Sequence, residues 1–157
     1  MTTFTIVRAE AGEKLGAIRE LFREYAGSLS FSLCFQNFDE ELAALPGDYA
    51  SPSGALFLAL FGHEAVGCVA LRRLGSGTGE MKRLYVRPQY RGFGLGRLLC
   101  KTLIAEAREL GYDRLRLDTV ESQMREAVAL YRKAGFQDIA PYRPNPLDGV
   151  LYMELKL

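Results

Sequence analysis

The stretch Arg91-Gly-Phe-Gly-Leu-Gly96 has the residue types and spacing of an anion-binding turn. It precedes a run of residues with helical periodicity, so free backbone amides and the positive end of the helix dipole would face a bound anion. Glycine lets phosphate oxygens approach the backbone and tolerates the φ angles that such a turn requires. The turn therefore predicts a phosphate-bearing ligand, although the same glycines would also suit a plain helix-capping turn.

Two familiar phosphate-binding patterns are not matched by this turn. A dinucleotide fingerprint needs a further glycine and an acidic residue after a following strand, and a P-loop needs Gly-Lys followed by Ser or Thr. Neither pattern is present in the sequence. The phosphate-bearing ligand is therefore expected to be of another class.

The sequence resembles the GNAT superfamily of acyl-CoA-dependent N-acyltransferases. The hallmark of this family, Arg/Gln-x-x-Gly-x-Gly/Ala, is matched by Arg91, Gly94 and Gly96. The segment 80–88 is similar to the fourth strand of the family, and the segment 130–136 is similar to a later helix that ends in Tyr-x-x-x-Gly-Phe. The resemblance extends from Leu56 to Leu157, and three motifs in the expected order are jointly specific.

The resemblance implies that acetyl-CoA is the co-substrate and that no metal is needed. In the family, backbone groups of the fourth strand bind the pantetheine arm in the gap where the fourth and fifth strands part, and amides of the following turn bind the pyrophosphate. The residues that take these roles here are Leu84, Tyr85, Val86, Arg91, Gly92, Phe93, Gly94, Leu95, Gly96 and Arg97. Leu84 and Val86 also fit the pattern of ordinary core residues of a strand.

Tyr131 corresponds to the tyrosine of the family that lies near the sulfur and donates a proton to the leaving thiolate. With an ordinary pKa near ~10, a tyrosine is neutral at pH 7 and acts only as a positioned donor. The alternative is an aromatic residue that packs in the core.

Glu80 matches the strand position at which some members carry the general base that deprotonates the amine. Four strand residues span roughly 13 Å, so a base at Glu80 would act through water or on a long substrate at Leu84. The alternative is a structural ion pair, with Lys82 or Arg83 as the expected partner. The sequence leaves the two roles open.

One departure from the family lies seven residues before the helix tyrosine, where many members have an asparagine that contacts the cofactor. The residue here is Met124. Ser122 and Gln123 are the neighbouring candidates for that contact, and the sequence does not choose between them.

The resemblance implies direct transfer of an acetyl group to an amine in a ternary complex, with a backbone N–H near Leu84 stabilising the oxyanion. We expect a small primary amine, such as an amino acid, whose carboxylate Arg83 or Arg143 could bind in a bidentate pair. The alternative is that both are ordinary surface arginines. The residues expected to shape the acceptor site lie in the segments 31–38 and 142–145. A protein lysine or N-terminal acceptor, and a non-catalytic acyl-CoA sensor, are the alternatives.

The elements that would position these residues follow the order β-α-α-β-β-β-α-β-α-β-β. Apolar runs on either side of Gly62-His63 predict a hairpin, and a third strand runs from about Thr78 to Val86. Apolar residues at helical spacing predict a first helix through Leu15–Leu29, a long helix from Leu95 to Leu110 and a last helix through Ala127–Ala134. Asp39–Leu42 has the pattern of a short capped helix, and Gly111 and Gly135 follow the long and the last helix. The order predicts an α/β fold, more closely an α+β mixed sheet of about seven strands with about four flanking helices.

Composition limits the alternatives. The chain has 157 residues, is 48% hydrophobic and carries a formal net charge of +1, which fits one domain over 1–157. The sequence has no basic cluster of the kind that binds nucleic acid and no apolar run long enough to span a membrane, and its N-terminus lacks the pattern of a signal peptide. We therefore expect a cytoplasmic protein. Cys34, Cys68 and Cys100 are expected to be reduced and buried. The oligomeric state stays open, with a homodimer as one alternative.

Overall fold

The computed structural model describes residues 3–30, 32–33 and 37–157. The helices of this part of the chain are α1 (Gly12–Ser28), α2 (Phe38–Ala44), α3 (Leu95–Glu109) and α4 (Arg125–Ala134). The strands are β1 (Phe4–Arg8), β2 (Ala55–Phe61), β3 (Glu64–Gly75), β4 (Thr78–Val86), β5 (Arg114–Val120), β6 (Gln137–Ile139) and β7 (Val150–Lys156). The element order and the α/β fold with a mixed sheet are as predicted.

All seven strands form one sheet in the order β1-β2-β3-β4-β5-β7-β6. The pair β4–β5 is parallel, and every other neighbouring pair is antiparallel. A parallel pair needs a crossover connection, and here the turn after β4 and helix α3 provide it. The glycine-rich turn therefore follows the C-terminal end of β4, the first strand of the parallel pair.

The parallel pair is short, because the two strands pair only through their first three residues and then part. Their register runs from Thr78 opposite Arg114 to Glu80 opposite Arg116 and stops there. Strand β4 continues to Val86 and β5 to Val120 without pairing to each other. The sheet therefore contains a gap, which we call the splay, between the second halves of β4 and β5.

A β-bulge in β4 lies at the start of the splay. Lys82 lies opposite Ala70 and Tyr85 opposite Cys68, so β4 has one residue more than β3 between these pairs. Arg83, in the bulge, has a left-handed φ of 61°. A bulge bends its strand and increases the local twist, which directs β4 away from β5.

The left-handed Arg83 costs about 1–2 kcal/mol, and its side chain makes contacts that offset this cost. Its guanidinium donates to Glu41 of α2 in a bidentate pair at 3.0 and 2.9 Å. The same group lies over the rings of Tyr25 and Phe38, at 5.9 and 5.3 Å from their centroids. Helices α1 and α2 therefore hold the bulge in place.

The sheet has a separate core on each face. Leu99 and Leu103 of α3 pack with Leu115 and Leu117 of β5 on one face. On the other face, the core includes Ile18 and Phe22 of α1, Leu42 of α2 and Leu58 of β2. Side chains alternate along a strand, so consecutive residues of β2 contribute to opposite cores. The splay is the place where a ligand can pass from one face to the other.

Several local predictions are confirmed at residue level. Gly62-His63 joins β2 and β3, and Gly111 and Gly135 follow α3 and α4 with left-handed φ angles of 84° and 107°. The thiols of Cys68 and Cys100 are free and buried, whereas Cys34 lies outside the described residues. Of the segment 31–38, residues 31 and 34–36 also lie outside them.

We expect Glu41→Gln to lower the free energy of unfolding by about 3 kcal/mol, at the low end of the cost of breaking a buried ion pair, because Arg83 stays buried without its counter-charge. Glu40→Gln, the same change at an exposed neighbour, should stay within about 0.5 kcal/mol of wild type. Urea denaturation measures both variants. Equal stability of the two would show that the pair does not anchor the bulge.

Candidate active site

The glycine-rich turn links the end of β4 to the start of α3. After a short 3-10 turn at Pro88–Tyr90, the Arg91 side chain folds back and its Nε donates to the carbonyl of Val86 at 2.8 Å. Gly92 and Gly94 have left-handed φ angles of 88° and 82°. Because L side chains rarely adopt such angles, these two glycines determine the path of the turn.

The amides of residues 92–97 are free of hydrogen bonds from the described part of the chain. A Cβ added at Gly92, Gly94 or Gly96 would have no heavy atom within 4 Å. The turn is therefore an open cradle of backbone donors at the N-terminus of a helix of 15 residues. This geometry fits a pyrophosphate and supports the ligand class that the sequence predicts.

A cavity of about 620 Å³ lies beside the cradle. Its lining includes nine of the ten residues predicted to bind the cofactor: Leu84, Tyr85, Val86, Arg91, Gly92, Gly94, Leu95, Gly96 and Arg97. The exception is the side chain of Phe93, which is 57% exposed and packs 5.8 Å from the ring of Phe4. Phe93 therefore contributes only its backbone amide to the site.

Other walls of this cavity come from parts of the chain that the motifs do not include. Tyr25, Ser28 and Leu29 at the end of α1 line it, as does the segment 122–127 before and within α4. Met124 lies in this segment, and both Ser122 and Gln123 also line the cavity, so either can contact a ligand there. No motif could have identified α1, because its contact with β4 depends on the tertiary fold.

A second, smaller cavity of about 60 Å³ occupies the splay. Met81 and Leu117 in its lining belong to the core on the α3 side, whereas Lys82 and Asp118 are their neighbours on the opposite face. Tyr25, Leu84, Met124 and Ala127 line both cavities. The two cavities therefore adjoin at the end of the cradle, and the smaller one runs through the sheet.

Tyr131 lies on α4 and lines the smaller cavity on the α3 side. It is buried, with its ring 5.7 Å from that of Phe136. Among the described residues no group forms a hydrogen bond with its hydroxyl, and burial raises the pKa of this phenol. The hydroxyl is therefore neutral at pH 7 and available to donate a proton to a group in the splay.

Glu80 is fully buried and lines neither of these two cavities. Arg72 Nε donates to its Oε1 at 2.8 Å, Tyr142 Oη donates to its Oε2 at 2.7 Å, and Arg143 also contacts Oε2. Burial favours a higher pKa of Glu80, but Lys82, Arg143 and Arg72 outweigh it, and the pKa is lowered. Both carboxylate oxygens are occupied, so the geometry supports the ion pair over the general base.

Of the two partners expected for Glu80, Lys82 acts on its charge and lowers its pKa, whereas Arg83 does not pair with it. Arg83 pairs with Glu41 rather than Glu80, and Arg72 and Arg143 come from a neighbouring strand and from the loop 140–149. The proposed carboxylate clamp is therefore contradicted, because the guanidinium groups of Arg83 and Arg143 already bind carboxylates of the chain itself.

Lys82 is the nearest ammonium to the splay. Burial and the neighbouring Arg83 lower its pKa, while Glu80 and Asp118 act in the opposite direction, and the result is a pKa of about 8. Lys82 lines the smaller cavity together with Asp118. Across the described residues, no group of three or more His, Cys, Asp or Glu is placed to hold a metal ion.

Comparison with known proteins places this site in a family. The sequence model of the acetyltransferase (GNAT) family matches residues 15–136. The chain belongs to this family and is an enzyme of the N-acetyltransferase class. The resemblance drawn from Arg91, Gly94, Gly96 and Tyr131 is thereby confirmed at the level of the family.

Individual relatives agree with this assignment. An uncharacterized N-acetyltransferase of Schizosaccharomyces pombe is 39% identical, with 99% of this chain and 96% of that protein covered. An IAA acetyltransferase of Azospirillum brasilense is 39% identical, with 69% of this chain and 71% of that protein covered. The crystal structure of a GNAT family acetyltransferase from Elizabethkingia anophelis with acetyl-CoA bound has the same fold, with a TM-score of 0.69, 23% identity and 98% of each chain covered.

We expect Glu80→Gln to lower the free energy of unfolding by about 3 kcal/mol at pH 7, because two arginines lose their shared counter-charge. Since the pKa of Glu80 is lowered in the folded protein, the contribution is complete above the ordinary value of 4.5 and is lost as the pH falls below it. The difference between wild type and variant should therefore shrink in acid. Denaturant titrations at several pH values measure it, with the exposed Glu109→Gln as control.

Proposed function

We propose that this enzyme transfers the acetyl group of acetyl-CoA to the primary amine of a small molecule, directly and within a ternary complex. The observation that supports the proposal is the meeting of two cavities at the splay. The larger cavity contains a cradle for pyrophosphate, and the smaller one contains a buried proton donor. One cavity suits the donor substrate and the other suits the acceptor.

The residues of the chain fit acetyl-CoA along the length of the larger cavity. The amides of residues 92–97 would bind the pyrophosphate. Beyond Glu80, β4 has no strand partner on the side of β5, so its backbone from Leu84 to Val86 is available to the amide groups of the pantetheine arm. When bound, acetyl-CoA would supply the reactive thioester. Its arm, lying along β4, would place that thioester at the splay.

The chain contributes a hydrogen-bond donor and a proton donor at that point. The N–H of Leu84 would donate to the oxygen of the reacting carbonyl, and Tyr131 would protonate the departing sulfur. A covalent relay through cysteine is disfavoured for both described thiols. Burial raises the pKa of Cys68 and raises that of Cys100 to about 11, so neither is a thiolate at neutral pH.

The size of the smaller cavity favours a small acceptor. Its volume of about 60 Å³ has room for about four water molecules, and its lining includes Asn145 and Leu147 of the loop 140–149. The same loop is attached to the buried Glu80 through Tyr142 and Arg143. A protein lysine or N-terminus would need a more open groove. A free amino acid is less favoured, because Arg83 and Arg143, which were expected to bind its carboxylate, already bind Glu41 and Glu80.

The cellular setting is also part of the proposal. None of the described helices is long and apolar enough to cross a membrane. The buried, reduced Cys68 and Cys100 suit the cytoplasm. A homodimer stays an open alternative.

Acetyl-CoA at ~100 times its dissociation constant should raise the free energy of unfolding by about 2.7 kcal/mol. Gly96→Val should abolish this gain, because its side chain would occupy the open cradle. Gly96 is preferable to Gly94, whose φ of 82° would itself strain a valine. Gly16→Val, also a helical glycine with open space around it, is the control and should keep the gain. A melting temperature that acetyl-CoA does not shift would refute the proposal.

Tyr131→Phe should lower turnover by roughly 10²–10⁴-fold, the usual contribution of a positioned acid. Stability should stay within about 0.5 kcal/mol, because the hydroxyl has no hydrogen-bond partner among the described residues to lose. Tyr112→Phe should have the opposite effects, since its hydroxyl donates to the carbonyl of Ser53 at 2.5 Å and Tyr112 lines neither cavity. It should keep its rate and lose about 1 kcal/mol. Steady-state kinetics measure the turnover of both variants, and thermal melts measure their stability.

The acceptor class can be tested by following release of the CoA thiol. The panel should contain alkylamines, amino acids, a lysine peptide and IAA, the last because of the name of the Azospirillum relative. Release with small amines alone supports the proposal. Release with the peptide alone favours a protein acetyltransferase, release with IAA alone favours that acceptor, and binding without release favours a sensor.

A further inference from the structure

Charged side chains of β4 and β5 form a row on the face of the splay that is opposite Tyr131. Glu80 binds Arg72 and Arg143, and Arg116 Nε donates to Glu154 at 2.8 Å. Asp118 is the next residue of β5 on this face. Its Oδ2 is the one buried side-chain oxygen or nitrogen in the described part of the chain that has no hydrogen-bond partner.

A buried carboxylate oxygen without a partner is costly. Desolvation of a charged group costs more than desolvation of a neutral unpaired group. An ionised carboxylate only accepts hydrogen bonds, so the missing partner must be a donor. Asp118 lines the smaller cavity, where a ligand can supply that donor. An ammonium group is the donor that best matches both the charge and the hydrogen-bonding need.

We propose that Asp118 binds the ammonium group of the acceptor and takes a proton from it. The inference rests on the proposed function. It assigns to Asp118 the role of general base, which the occupied carboxylate of Glu80 does not support. It also defines the acceptor more closely. The rest of the cavity mixes apolar side chains, such as Met81 and Leu117, with polar ones, such as Thr119 and Asn145. Its volume of about 60 Å³ limits the acceptor to a short amine.

The position of Asp118 relative to Tyr131 suits the chemistry. Tyr131 lies on the α3 side of the sheet and Asp118 on the other, with the splay between them. The amine would reach the carbonyl carbon from the face of the sheet opposite Tyr131. The N–C bond forms, the carbonyl collapses back and the C–S bond breaks. Of the two protons lost by the ammonium group, one goes to Asp118 and then to solvent, and the other replaces, on Tyr131, the proton that Tyr131 gives to the sulfur.

Four titratable groups face Asp118, and none of the four is suited to take the proton from the ammonium group in its place. Lys82 faces it from β4, Tyr25 from α1, Tyr142 from the loop 140–149 and Tyr152 from β7. Lys82 is the single cation among them, and the three phenols all have raised pKa values, so they stay neutral at pH 7. None of these four neighbours is a second carboxylate that would accept the proton in place of Asp118.

The first experiment measures binding and does not depend on turnover. Butylammonium chloride is titrated into the CoA-bound protein, and butanol serves as the neutral probe of the same shape. Asp118→Asn should weaken butylammonium binding by at least about tenfold, the value of a charged hydrogen bond, and leave butanol binding unchanged. Asp148→Asn, the same change at an exposed site of the nearby loop, is the control. If Asp118→Asn does not fold, Asp118→Ser replaces it.

The second experiment measures the rate of butylamine acetylation against pH. Asp118→Asn should lose roughly 10²–10⁴-fold at neutral pH, and the loss should shrink as the pH rises and more of the amine is already neutral. A structural role would lower the rate equally at every pH. Acetyl-CoA affinity should not change.

Three results would overturn the assignment of Asp118. They are no butylammonium binding to the wild-type protein, equal binding to Asp118→Asn, and a rate loss that is independent of pH. Each can occur while acetyl-CoA still binds, which would leave the proposed donor substrate intact. Failure of acetyl-CoA to bind would instead refute the proposed function itself.

Discussion

The separation of β4 from β5 after Glu80 and Arg116 is the constraint on which the site depends. A continuous ladder would close the gap and leave no route between the two faces of the sheet. The bulge at Arg83 directs β4 away, and it persists because Glu41 and the rings of Tyr25 and Phe38 hold the guanidinium. An ion pair between a strand and helix α2 thus maintains an opening in the middle of the sheet.

The opening gives the two cavities different chemical characters. Towards α3 lie the amide cradle and the neutral hydroxyl of Tyr131, which suit an anionic thioester substrate. Towards α1 and α2 lies the carboxylate of Asp118, which suits a small amine. In the proposed function, approach from opposite faces would keep the acceptor away from the pyrophosphate and bring it to the carbonyl carbon.

Glu80 illustrates how a residue in a catalytic motif position can have a structural role. Its carboxylate connects β3, β4 and the loop 140–149 through Arg72, Tyr142 and Arg143. That connection fixes the loop whose Asn145 and Leu147 close the smaller cavity. Glu80 would therefore shape the proposed acceptor site without contacting the acceptor.

The sequence by itself determined the element order and the glycine turn, because these depend on local spacing and on side-chain periodicity, and the family followed from the resemblance of three short motifs. Partners far apart in the chain were decided only by the tertiary structure. The bulge shifts the register of β4, and this shift delivers Arg83 to Glu41 and leaves Glu80 to Arg72 and Arg143. Asp118 belongs to no motif. Only the three-dimensional structure shows that its buried Oδ2 has no hydrogen-bond partner among the described residues.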